Sequence, residues 1–112
     1  ALYMTASHKI TLSEPISQQP SGITLVFSRY DNGAALEHNY NSFFVPKFLI
    51  EEKPGVGSAF RMNTVNFSMV ATKYLYINNE TITGNDSNDD TGTGNGVTYN
   101  NAAYVLRYVI GI

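Results

Sequence analysis

Apolar and polar residues alternate along most of this chain in short runs, and turn residues separate the runs. Ile10-Thr11-Leu12-Ser13 alternates strictly, and Pro15, Pro20 and Ser21-Gly22 then interrupt it. Residues 23–27 (Ile-Thr-Leu-Val-Phe) are β-branched and aromatic, which predicts a buried strand. Asp31-Asn32-Gly33 follows. Asn-Gly suits a two-residue hairpin turn, because both central positions need positive φ. Residues 39–45 gather Tyr40, Phe43, Phe44 and Val45 before Pro46 stops them. Phe48-Leu49-Ile50 is a brief apolar run, and 51–57, with Pro54, Gly55 and Gly57, predicts a loop.

The second half keeps the same style. Phe60 and Met62 lie two apart, as do Val65, Phe67 and Met69, with a phase break at Asn63-Thr64 that predicts a turn or bulge. Residues 73–77 set Tyr74 and Tyr76 against Leu75 and Ile77. A polar loop is predicted over 85–96, and Tyr104-Val105-Leu106-Arg107-Tyr108-Val109-Ile110 is the strongest strand candidate. Helical character is confined to Ala34-Ala35-Leu36-Glu37-His38, too short to be stable alone. About seven to nine short strands at this spacing predict an all-β fold. The expected architecture is a single compact β-sandwich or jelly-roll-like domain of antiparallel strands over residues 1–112.

Composition narrows the class. Charged residues make up 14% of the 112, below the usual ~25%, whereas aromatics reach 12% as 8 Tyr and 6 Phe. With 12 Asn, 9 Ser and 10 Thr, the surface is polar without being ionic. Disordered chains are charged and poor in aromatics, so disorder does not fit. The absence of Cys removes disulfides and thiolate zinc sites. A net charge of −2 lacks the basic stripe that nucleic acid requires. No apolar run reaches the ~18 residues of a membrane span, so membrane insertion is not expected. The N-terminus does not read as a signal peptide, and the opening Ala1-Leu2 suggests a fragment or a processed product.

Catalytic signatures are weak. His8 lies near Ser7 and Glu14, and His38 beside Glu37 and Asn39, but neither stands in a nucleophile frame, and Gly57-Ser58-Ala59 is not a nucleophile elbow. Glu51-Glu52 would point to opposite faces of a strand, and a solvated loop accounts for them. Asp86, Asn88 and Asp90 alternate like the start of a calcium loop. However, the glycine falls one position late at Gly92, and Val97 stands where the loop would need Glu. The expectation there is an Asx/Gly-rich connection, with no metal and no cofactor. The remaining constellation is Arg29-Tyr30-Asp31-Asn32 together with His38-Asn39-Tyr40-Asn41. Tyrosine beside Asn, Asp and Arg suits sugar recognition, since a ring covers the C–H face of a sugar while amides and carboxylates meet its hydroxyls. Tyr30, Asp31, Asn32, His38, Asn39 and Tyr40 are therefore the candidate ligand contacts. A hairpin rim with amphipathic tyrosines would explain each of them singly, and the other tyrosines suit core edges or a subunit interface equally well.

Four strings resemble a known family: Leu25-Val26-Phe27-Ser28-Arg29-Tyr30-Asp31, Lys73-Tyr74-Leu75-Tyr76-Ile77, Ile82-Thr83-Gly84, and Val105-Leu106-Arg107-Tyr108-Val109-Ile110-Gly111. Together they are similar to a C-terminal domain of tail, baseplate and receptor-binding proteins of siphophages and prophages of Gram-positive bacteria. The resemblance implies a β head domain at the end of a longer protein, located on the virion tail. It implies a homotrimer whose heads bind host cell-wall saccharide or teichoic acid, and it assigns no binding residue. The expected function is thus non-enzymatic host adhesion through carbohydrate. The alternative is a structural or oligomerisation module of a tail fibre or virion.

Overall fold

The computed structural model describes residues 2–64 and 69–112. In chain order the elements are β1 (Lys9–Thr11), β2 (Gly22–Asp31), β3 (Ala34–Ala35), β4 (Asn41–Pro46), α1 (Lys47–Glu52), β5 (Gly57–Arg61), β6 (Thr72–Ile77), β7 (Thr81–Thr83), β8 (Thr91–Gly94), β9 (Val97–Asn100) and β10 (Tyr104–Gly111). Short 3-10 turns lie at Ile16–Gln18, Asp86–Asp89 and Asn101–Ala103. All strand pairings between these elements are antiparallel. The all-β expectation holds, with ten strands among the described residues. No helix among them is long and apolar enough to cross a membrane.

One sheet runs β1-β7-β6-β5. A second centres on β2, which pairs β10 along one edge, and β4 and the short β3 along the other, and β8 and β9 form a separate two-stranded ribbon. The inward positions of β2 are Ile23, Leu25 and Phe27, all buried. They meet Leu75 and Ile77 of β6, Ile82 of β7 and Leu106 of β10 in one core. Phe43 meets Phe27 and Phe60 edge-on at 5.8 and 5.3 Å between ring centres, and Phe60 lies tilted against Phe27 at 6.5 Å. Each fully buried side chain of this core contributes about 1.5–3 kcal/mol by leaving water. The expected apolar positions Val65 and Phe67 lie outside the described residues.

Three local expectations are corrected. Residues 34–38 form no helical turn: Ala34 and Ala35 pair with Asp31 and Tyr30 as β3, and Leu36 N–H continues to Arg29 O at 2.8 Å. The only α-helix among the described residues is α1, which takes the Phe48-Leu49-Ile50 run and Glu51-Glu52. Six residues cannot hold a helix by propensity, so the buried Ile50 anchors it to the core while both glutamates stay exposed. The predicted loop over 85–96 is instead a 3-10 turn followed by one arm of the β8–β9 hairpin.

That hairpin turns on Asn95-Gly96, with φ of 52° and 76°. Asn32-Gly33 turns β2 into β3 with φ of 51° and 76°. The same dipeptide solves both reversals in the same way.

β6 carries one surprise. Its core-facing row is Lys73, Leu75 and Ile77, and Lys73 is fully buried. Its Nζ donates to Asn88 O at 2.7 Å and Tyr3 O at 3.2 Å, and lies 5.5 Å from the Tyr3 ring centre. Buried Asn88 completes the node. Its Oδ1 accepts from Tyr74 N–H at 2.7 Å, and its Nδ2 donates to Met4 O and Tyr74 O.

Candidate ligand-binding site

The β2–β3 hairpin and the chain leading into β4 carry the six residues expected to bind ligand, and the structure divides them. Tyr30 packs edge-on against Tyr3, at 5.1 Å between ring centres. Asp31 and Asn32 are exposed at the hairpin tip, where Asp31 Oδ1 accepts from Asn32 N–H at 3.0 Å. His38 accepts from Arg29 N–H through its backbone carbonyl at 3.2 Å. Asn39 sits at φ 55°, and its carbonyl accepts from Asn41 Nδ2 at 3.2 Å. Tyr40 turns to a different group, donating its hydroxyl to Glu37.

Glu37 is the link to β10. Its Oε1 accepts from Arg107 Nη2 at 2.6 Å, the one salt bridge among the described residues. Arg107 also donates through Nη1 to Ser28 Oγ at 2.9 Å. Its guanidinium carbon lies 6.0 Å from the Tyr40 ring centre and 5.7 Å from that of Tyr108. A planar cation between two electron-rich ring faces is favourable, by about 0.5–1 kcal/mol per contact at an exposed site. The hydrogen bond from Tyr40 and then that from Arg107 hold the Glu37 carboxyl below its usual pKa. The Tyr40 hydroxyl is correspondingly pushed up by its bond to Glu37. At neutral pH the group is therefore a fixed carboxylate–guanidinium pair with two half-exposed rings beside it.

A β-bulge puts Arg107 there. Leu106 pairs with Phe27 and Tyr108 with Val26, so Arg107 is an extra residue in β10. Without it, Leu106 and Tyr108 would share a face. With it, Leu106 points into the core while Tyr108 and Ile110 lie outward beside Val26 and Thr24.

Arg107, Glu37 and Tyr108 were not among the expected contacts. The arginine of the sequence constellation, Arg29, instead donates Nη1 to the carbonyls of Tyr30 and Ala103 at 2.5 and 3.2 Å. In sequence Arg107 is one position in a strong strand, and only pairing with β2 brings it over Ser28.

The residues reminiscent of a calcium loop do not converge. Asn88 is buried and committed to the backbone of β6, Asp86 accepts from Ala6 N–H at 3.0 Å, and Asp90 is exposed. Likewise His8 Nδ1 accepts from Thr5 N–H at 3.2 Å.

No family model matches the chain, and neither a curated protein nor a solved structure matches it. The fold and this cluster define an all-β, sandwich-like domain with an aromatic-flanked ion pair on one sheet.

Proposed function

We propose that this chain is a non-enzymatic adhesion domain that binds carbohydrate of a host cell surface, carried on the tail of a phage particle. The observation that carries the reading is the group of Tyr40, Tyr108, Arg107 and Glu37. Two exposed rings offer surfaces for the C–H face of a sugar. The guanidinium and carboxylate between them are held in place by each other and by Ser28, so hydroxyl groups meet donors and acceptors already oriented. Tyr108 stands on a strand paired with β2, and the bonds from Arg107 and Tyr40 to Glu37 tie the segment before β4 to that strand, which orders the group. The sequence resemblance to phage tail and receptor-binding domains supports the biological setting.

The test is retention of the protein on purified Gram-positive cell walls. Tyr40→Ala combined with Tyr108→Ala lowers retention about tenfold, the effect of removing anchor residues worth 1–2 kcal/mol. Asp31→Ala leaves it unchanged, because Asp31 belongs to the separate hairpin tip. Unaltered retention in the double variant, with its fold intact by circular dichroism, removes this site. Release of soluble wall fragments by the protein would make it an enzyme instead.

A second reading is favoured by one specific observation. The outward face of the β2 sheet is built from three rows: Ile112, Gly22 and Pro46; Ile110, Thr24 and Phe44; Tyr108, Val26 and Ser42. None of the nine residues is charged. Phe44, Tyr108, Ile110 and Ile112 are each about half exposed. Such a face suits contact between copies of the chain, as in a structural module of a fibre.

A further inference from the structure

The two sheets part beside the ion pair. Among the described residues β1 pairs only with β7, and β10 only with β2, so both are edge strands. Between them opens a cleft of about 640 Å³. That size falls in the range of sites that enclose small ligands, ~300–1,000 Å³. Its apolar lining includes Ile10, Leu12 and Val109.

Besides Thr11 and Ser13, the cleft carries two groups of longer polar side chains. Arg107 and Tyr108, from the aromatic-flanked pair, line one part. Glu14 and Gln19 line another, joined by a Gln19 Nε2 to Glu14 Oε2 hydrogen bond of 3.1 Å. Gln19 lies directly on the backbone of Gly111, where an added Cβ would meet its Oε1 at 2.1 Å. Gly111 follows Arg107 by four positions on the same strand, roughly 13 Å at the usual strand rise. The polar stations are thus spaced for an elongated ligand rather than a single ring.

The charges choose the class of ligand. The only charged residues lining the cleft are Glu14 and Arg107, and Arg107 is already matched by Glu37. A phosphate-bearing polymer would bring its anions to an uncompensated carboxylate. An uncharged saccharide brings hydroxyls, which a carboxylate and an amide accept from and donate to, and C–H faces, which the apolar lining covers.

We infer that this cleft takes a short segment of uncharged polysaccharide, with hydroxyls at Glu14 and Gln19 and at Arg107 and Tyr108, and discriminates against phosphate-bearing wall polymers. The inference rests on the carbohydrate reading above and names the substrate class within it.

Two probes test it on the full chain by NMR titration: neutral wall polysaccharide freed of phosphate polymers, and purified poly(glycerol phosphate) teichoic acid. The neutral fraction is expected to shift the amides of residues 11–14 and 106–109, and teichoic acid to leave them in place. Glu14→Ala and, separately, Gly111→Ala, which displaces Gln19 without removing it, each weaken the neutral probe at least tenfold. Asp31 does not line the cleft and belongs to the separate hairpin tip, so Asp31→Ala keeps the shifts at residues 11–14. If intact walls fail to retain the wild-type protein, the carbohydrate reading falls and this inference with it. If walls retain it but the cleft variants bind the neutral probe like wild type, or only teichoic acid binds, the cleft assignment alone is overturned.

Discussion

Lys73 illustrates what one residue can do to the whole stability curve. It stands in the core-facing row of β6 with two carbonyls for its ammonium, and burial lowers its pKa to about 7, with Asp89 opposing the shift. In the unfolded chain the same amine titrates near 10.5. Between these values the unfolded state holds a proton that the folded state has released, so stability rises with pH, by at most about 1.4 kcal/mol per unit. Above about pH 10 the trend reverses. Burial raises the pKa of Tyr3 and Tyr104, so the unfolded state loses protons that the folded state keeps. Urea midpoints measured from pH 6 to pH 10 should climb for the wild type, and Lys73→Met should flatten the climb. A wild-type midpoint independent of pH over that range would show that Lys73 keeps its proton in the fold.

At the scale of elements, the two Asn-Gly turns and the β10 bulge set the register. At Gly33 and Gly96 an added Cβ meets no atom within 4 Å, yet both have φ of 76°. Substitution there is therefore a purely conformational cost of about 1 kcal/mol, because an L side chain disfavours that backbone region. Gly33→Ala and Gly96→Ala should each lower the free energy of unfolding by about that amount. The β8–β9 hairpin packs less than the β2 sheet, so Gly96→Ala should show its loss first as faster amide exchange within Thr91–Asn100. Equal exchange in the variant and the wild type would contradict this. The bulge at Arg107 was hidden in the sequence for a related reason. Tyr104-Val105-Leu106-Arg107-Tyr108-Val109-Ile110 supports either phase of alternation, and only pairing with seven residues of β2 selects one.

For the whole molecule, the question is what the uncharged face of the β2 sheet meets. The four half-exposed side chains Phe44, Tyr108, Ile110 and Ile112 present on the order of 400 Å² between them, within the size of patches that tend to be functional, ~300–600 Å². A stable interface buries about 800 Å² per partner, so this patch would form its centre with a polar rim around it. If copies of the chain associate there, Phe44→Glu places a charge at that centre. The mass by light scattering should then fall to 12.3 kDa while the circular dichroism spectrum stays that of the wild type, since Phe44 lies outside the core. A wild type that already runs at the single-chain mass would leave the face to a different partner.

Short alternating runs, low charge and Asx-Gly punctuation determined the all-β class from the sequence alone, because these are local signals of period and turn chemistry. They located the strand at 23–27, the strand at 104–110 and the turn at Asn32-Gly33. They also marked Tyr40 as a residue with a surface to offer. Tertiary structure decided the remainder. It turned Phe48-Leu49-Ile50 into a helix by burying Ile50, a gain that no six-residue propensity can supply. It buried Lys73, whose ammonium finds its carbonyls on segments 70 and 15 positions away. It also joined Glu37 to Arg107 across 70 positions, through a bulge that a single strand does not announce. Local sequence carries the period of a strand, but the partner of a charge depends on which strands lie side by side.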